Sequence, residues 1–200
     1  MSKSFFVADF EFTHYTKPVG KPRGFFSEII EIGAVKIDSD SHETTGHIQS
    51  FVKPRFYPKQ AMEGMAFSMI TKEHMKDAIE FSDMLEKLKA LYIPGETYFV
   101  AWGNADYDVI REGCERHDLT NPVLYSDYLD LAAAHKMYKG ISRTSSLRDA
   151  LEEQGIVTEG LWHTAYDDAV NTGKLLLKLM EGGWKLSDYF DNRPQYRPSR

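Results

Sequence analysis

Cysteine is almost missing from this sequence. Cys114 is the one such residue among 200, so no internal disulfide can form, and the expected setting is reducing and cytoplasmic. Its neighbours Val109, Ile110 and Gly113 recur at helical spacing, which marks Cys114 as an apolar filler of a buried helix face and not as a nucleophile. Long apolar runs are missing too. The opening segment meets Asp9 and Glu11 at once, leaving a stretch too short for a signal peptide or a bilayer crossing, and no membrane association is expected. Positive charge is scarce: 24 Lys and Arg stand against 30 Asp and Glu, a formal net charge of −6. A broad electrostatic grip on long nucleic acid needs many phosphate contacts, so any such binding here has to be local. Basic residues gather at Lys17, Lys21 and Arg23, at Lys136, Lys139, Arg143 and Arg148, and at Arg193, Arg197 and Arg200, where they read as ordinary solvated charge.

What is present is an alternation of strand-like and helix-like apolar spacing with no repeat or low-complexity tract, which predicts an α/β class. Residues 1–182 are expected to form one domain and residues 183–200, beyond Gly182-Gly183, a largely irregular tail with at most a turn around Ser187 to Phe190. Strands are predicted at Ser4 to Phe10, Ile29 to Ile37 and His47 to Val52, the short connections favouring an antiparallel meander. A looser stretch through Pro58, Gly64 and Phe67 leads to helical segments at Thr71 to Lys76 and Phe81 to Leu91. Strands at Thr97 to Trp102 and Val123 to Tyr128 then alternate with helices at Ala105 to His117, Leu129 to Tyr138, Ser145 to Gln154 and Ala165 to Met180.

Strand alternation puts Val7, Asp9 and Glu11 on one side of the first strand and Phe6, Ala8, Phe10 and Phe12 on the other. Two carboxylates set among phenylalanines need cations or shifted titration, unless the pair merely ends a strand facing water. Helical phase sorts the other acids. Asp168 lies with Thr172, Leu175, Leu176 and Leu179, and Asp167 with Asn171, Lys174 and Lys178; Asp106 lies with Val109, Ile110, Gly113 and Cys114, and Asp108 with Arg111, Glu112, Glu115 and Arg116. Asp106 and Asp168 are therefore the inward pair, although either alone could serve as a helix-start acid. Four inward acids would repel one another without hard cations, and oxygen donors suit Mg2+ or Mn2+, so a site for two divalent cations is expected. His163, five positions ahead of Asp168 in a predicted loop, can reach the same pocket, and an imidazole can take a proton from water near neutral pH.

These residues resemble the DEDDh (DnaQ-like) 3′-5′ exonuclease family. The match rests on Val7-Ala8-Asp9-Phe10-Glu11-Phe12-Thr13, on Trp102-Gly103-Asn104-Ala105-Asp106 and on His163-Thr164-Ala165-Tyr166-Asp167-Asp168-Ala169, in the family's order. Glu28-Ile29-Ile30-Glu31-Ile32-Gly33-Ala34-Val35 together with Phe51-Val52-Lys53-Pro54 is similar to the branch holding the Eri-type exoribonucleases and KapD proteins. The resemblance implies an RNase H-like fold: a mixed five-stranded sheet whose second strand runs against the others, flanked by helices. It implies metal binding by Asp9, Glu11, Asp106 and Asp168, general-base duty for His163, and hydrolysis at the 3′ end of single-stranded RNA or DNA, RNA foremost, releasing nucleoside 5′-monophosphates. Phe12 and Thr13 are candidates to contact the last nucleotide. Where Eri-type members carry an aromatic before the mid-chain acid, this chain has Ala105. A DNA or short-oligonucleotide exonuclease, a nucleotide phosphatase and a catalytically silent RNA-binding module are the alternatives. No protein partner is indicated.

Overall fold

The computed structural model describes residues 3–15, 20–59, 61, 70–193 and 195. The expectations placed on Lys17, Gly64, Phe67, Arg197 and Arg200 lie outside them. Five strands, β1 (Ser4–Phe12), β2 (Ile29–Ile37), β3 (Thr44–Phe51), β4 (Thr97–Ala101) and β5 (Tyr128–Asp130), form one sheet in the order β3-β2-β1-β4-β5. β2 pairs antiparallel with β1 and with β3, whereas β1, β4 and β5 pair in parallel. Short loops allow the first three strands to fold back on themselves. The parallel pairs require crossovers, supplied by α1 (Phe81–Leu91) before β4 and α2 (Ala105–Arg116) after it. Four helices follow: α3 (Leu131–Lys139), α4 (Leu147–Glu153), α5 (Ala165–Glu181) and α6 (Leu186–Phe190). This is the RNase H-like arrangement, with β2 as the reversed strand. Among the described residues no helix is long and apolar enough to cross a membrane.

The period-2 alternation of β1 divides the core. Phe6, Ala8 and Phe10 pack with Phe99, Leu88 and Ile110 on the α1/α2 side, and Phe5 and Val7 pack with Val35, Leu175, Leu176 and Leu179 on the α3–α6 side. Cys114 is buried as a filler, and burial pushes its thiol up to about 12. Two expectations need correction. Val123 and Leu124 do not begin the fifth strand, which starts only at Tyr128 after a 3-10 turn at Tyr125–Asp127. That turn is tied down by side chains instead of a ladder: Asp127 accepts from the Tyr92 hydroxyl at 3.0 Å and from the Gly95 amide at 2.7 Å. Beyond Gly182-Gly183 the chain is not irregular either, because Trp184 and Tyr189 are buried in the α3–α6 core and α6 spans 186–190. Nor is Arg193 simply solvated. Its guanidinium donates to the carbonyls of Tyr125 and Tyr128 at 2.9 and 3.0 Å.

One close approach sets the position of α5. A Cβ at Gly33 would fall 2.0 Å from the Ala165 carbonyl carbon and from the Tyr166 nitrogen, so the helix start crosses β2 over bare backbone. Gly33→Ala should therefore move the α5 start off the sheet. Overpacking usually costs about 1–3 kcal/mol, and because backbone cannot rotate aside, the upper end of that range is expected in denaturant unfolding. A stability equal to that of the unaltered chain would show that the helix can shift freely.

Candidate active site

β1 carries Asp9 and Glu11 on the α3–α6 side of the sheet, in phase with Val7. Antiparallel pairing then sets Glu31 of β2 directly opposite Glu11, and Gly33 opposite Asp9. Glu31 is 1% exposed and both of its carboxylate oxygens lack a hydrogen-bond partner. This third strand acid was not singled out from sequence; its signal was a lone Glu inside the apolar run Ile29 to Ile37, and only the strand register gives it meaning.

Two helix starts bring the remaining acids. Asp106, in the first turn of α2, is 5% exposed and accepts the Phe10 amide at 3.0 Å, which ties it to β1 between Asp9 and Glu11. The loop leading to it is held by the Tyr128 hydroxyl, which donates to the Gly103 carbonyl. Asp168, in the first turn of α5, is 8% exposed; its Oδ2 accepts the His163 amide at 3.1 Å and its Oδ1 has no partner. The helical-phase choice of Asp106 over Asp108 and of Asp168 over Asp167 matches these placements. His163 is exposed, and ligand atoms of Glu11, His163 and Asp168 lie within 4.8 Å of one another.

His163 holds a left-handed backbone, φ 65°, which a non-glycine residue keeps only when its surroundings enforce it. The restraint comes from the helix face that sequence phase had assigned to solvent. Asn171 is 1% exposed and bridges both backbone groups of Glu159, at 3.0 Å each. Asp167 accepts from the Leu161 amide and the Thr164 hydroxyl, both at 2.8 Å. Lys174 donates to the Val157 carbonyl and pairs with Glu159 at 2.7 Å. Asp167 is thus a brace for the loop and not a bystander. Thr13 also needs correction as a nucleotide contact: it is fully buried, and its hydroxyl accepts the Glu28 amide at 2.9 Å. Glu28 in turn gathers the amides of Arg55, Phe56 and Tyr57 at 2.6–2.9 Å, fixing the segment beside the strand end. Phe12 stays half-buried on the α1/α2 side, its ring 4.9 Å from His14.

Burial, followed by the Glu31 charge, raises the Glu11 carboxyl from the usual 4.5 to about 7. Burial raises Glu31 to about 7 as well, against the pull of the Ala165 amide at the start of α5, which does not close a hydrogen bond to it. Asp106 is raised to about 7, by burial above all and against the Phe10 amide. Asp9 is pushed well up by burial and then by the charges of Asp106, Asp168, Glu11 and Glu31; Asp168 is raised by burial. Desolvated carboxylates with unfilled lone pairs, beside an imidazole, are the donor set that hard divalent cations take. The residues fit such ions.

A mixed sheet whose central strand and two flanking helix starts converge acids beside a loop histidine defines a phosphodiester-cleaving nuclease of the RNase H-like fold. The exonuclease family model (RNase_T) matches residues 6–176. The probable 3′-5′ exonuclease KapD of Bacillus subtilis is 34% identical over 183 residues, covering 90% of this chain and 85% of that protein. The nuclease domain of 3′hExo, a DEDDh family member bound to rAMP, superposes with a TM-score of 0.78 at 21% identity, over 92% of this chain and 94% of that one. Pop2p of S. pombe in a Mg2+ and Mn2+ bound form gives a TM-score of 0.64 at 20% identity, over 94% and 84% of the two chains. The two structures share the fold. The chain belongs to the DEDDh 3′-5′ exonuclease family, with KapD among its relatives, and is an enzyme of that divalent-metal-dependent class.

Two outcomes follow. Carboxyls raised in the folded state bind protons that the unfolded chain has lost, so their contribution to stability is present below about pH 4.5 and fades as pH rises towards 7. His117 and His135, lowered by burial, pull the other way, so metal titration is the cleaner readout. By calorimetry in buffers of different ionisation heat, Mn2+ should bind more tightly as pH rises through 7 and release more protons at about pH 6.5 than at about pH 8.5. Proton-neutral binding at the lower pH would contradict the raised carboxyls. Asp168→Asn should abolish turnover, and Asp167→Ala or Asn171→Ala should lower kcat by about tenfold or more through misplacement of His163, with Mn2+ affinity nearly kept. Wild-type turnover in both loop variants would show that the clasp is dispensable.

Proposed function

We propose that this chain shortens single-stranded nucleic acid, RNA foremost, from its 3′ end, cleaving the terminal phosphodiester to release nucleoside 5′-monophosphates. The observation that carries this reading is the convergence of Glu11, Asp168 and His163 within 4.8 Å, with an unpartnered Asp168 oxygen among them. Asp9, Glu11, Asp106 and Asp168 would hold two divalent cations, Mg2+ or Mn2+, which when bound supply Lewis-acid activation of the attacking water and charge stabilisation at the departing 3′-oxygen. His163 takes the proton from that water and, being exposed, passes it to solvent. The water oxygen forms the new bond to phosphorus as the bond to the 3′-oxygen breaks on the opposite side; the freed 3′-oxygen takes a proton from solvent. The Asp168 carboxylate anchors the His163 amide, so one side chain both faces the metal site and orients the base. Phe12, half-buried beside Glu11, contacts the terminal nucleotide.

The preference for RNA draws on the 3′hExo nuclease domain, whose structure contains rAMP. The net charge of −6 favours short substrates, because it offers little grip on a long polyanion. A cytoplasmic setting suits the buried free Cys114.

Matched end-labelled RNA and DNA oligomers of several lengths, incubated with Mg2+, Mn2+ or chelator, test the reading. A ladder shrinking from the 3′ end only with metal, faster on RNA, is expected. Release of inorganic phosphate alone would make the protein a nucleotide phosphatase, and retention of RNA without cleavage would make it a binding module. His163→Ala should lower turnover by about a hundredfold or more, with Mn2+ affinity little changed; undiminished turnover would remove the histidine from the reaction.

A further inference from the structure

The catalytic end of the sheet opens on two flanks. Phe12 belongs to the α1/α2 flank, where it packs against the core of that side. On the other flank lies a cleft of about 330 Å3 that shares Asp9, His163 and Asp168 with the catalytic site and adds Trp102, Arg148 and Trp162. Both indoles are half-buried: each packs in part against the α3–α6 core and leaves the rest of its surface to the cleft. The inner neighbour of Trp102 is His135, ring to ring at 5.9 Å. The Arg148 guanidinium lies 4.8 Å from the centre of the Trp162 ring, covering one of its faces. Arg148 is exposed and has no carboxylate partner among the described residues, although acids outnumber bases in this chain and Lys139 and Lys174 are both paired. Among the described lining residues it is the one lysine or arginine.

Two partly bared indoles and an unpaired guanidinium next to a cluster of acids are poorly explained by packing. They suit a nucleotide. Every base has a π-face, so stacking on aromatic rings works without sequence preference, and a guanidinium pairs with phosphate in a geometry that lysine does not match. In a protein of net negative charge, stacking is also the means of holding nucleic acid that needs few cations. The scissile phosphate must sit at the acids with the terminal nucleoside on one side and the rest of the strand on the other. With Phe12 taking the terminal nucleoside, the strand leaves past His163.

We propose that the cleft between Trp102, Arg148 and Trp162 binds the nucleotide immediately 5′ of the scissile phosphate, its base stacked on the indoles and its own phosphate paired with Arg148. This rests on the exonuclease reading above and adds to it the subsite that distinguishes a strand from a mononucleotide ester.

The test compares two substrates with Mg2+ or Mn2+. One is a decanucleotide. The other is a nucleoside 5′-(p-nitrophenyl phosphate), which presents the terminal nucleotide and a chromogenic leaving group with nothing upstream. Trp162→Ala and Arg148→Ala should raise KM for the decanucleotide, and the loss in kcat/KM on it should exceed the loss on the ester by about tenfold or more. Trp162→Phe and Arg148→Lys should recover part of the difference, since each keeps a ring or a charge. Equal losses on both substrates, or none on either, would overturn the proposal. Wild-type protein inert on both substrates would instead overturn the exonuclease reading itself.

Discussion

Mutual repulsion among carboxylates at one end of the sheet governs this structure. β1 supplies Asp9 and Glu11, the register of β2 adds Glu31 opposite Glu11, and two helix starts add Asp106 and Asp168. Each is desolvated, and each is pushed towards its protonated form. A fold assembled for stability alone would not bring these groups together without paired cations. The divalent ions that this family uses are the counter-charge that makes the arrangement tenable.

The scaffold meets that demand by removing freedom around the cluster. Gly33 lets the start of α5 lie on β2 with no side chain between, which places Asp168 over the acids of β1. The same helix then fastens the loop ahead of it: Asp167, Asn171 and Lys174 hold residues 157–164 through backbone groups, and Asp168 holds the amide of His163. His163 can keep a left-handed conformation because four neighbouring residues share the strain. One helix therefore delivers a ligand acid, the base and the braces that fix their relative positions. The cleft of Trp102, Arg148 and Trp162 adjoins this unit, so recognition of the strand and alignment of the base are parts of one surface.

Local pattern made much of this legible. Alternation in β1 placed Asp9 and Glu11 on one side with Val7, and helical phase separated Asp168 from Asp167 and Asp106 from Asp108. Both follow from periodicities of a few residues, which tertiary contacts seldom override when the stripe is strongly apolar. Phase was less reliable on the far face of α5. There Asn171 and Lys174 look solvent-directed, because a polar side chain buried under a loop has the same spacing as one facing water. The fifth strand was misplaced for a related reason: Val123 and Leu124 have β-forming side chains, but the segment is tied by Asp127 to the α1–β4 corner and finds no ladder until Tyr128.

By itself the sequence determined the α/β class, the antiparallel meander and the identity of the four family acids and the histidine, since short-range spacing and motif order carry all of them. Only the tertiary structure decided that Glu31 stands against Glu11, that Thr13 is sealed away, that Asp167 and Asn171 clasp the histidine loop and that Trp102 meets Trp162 across a cleft. Those facts depend on strand register and on contacts between residues far apart in the chain. No local pattern encodes them, because the same residues in another register would face other neighbours.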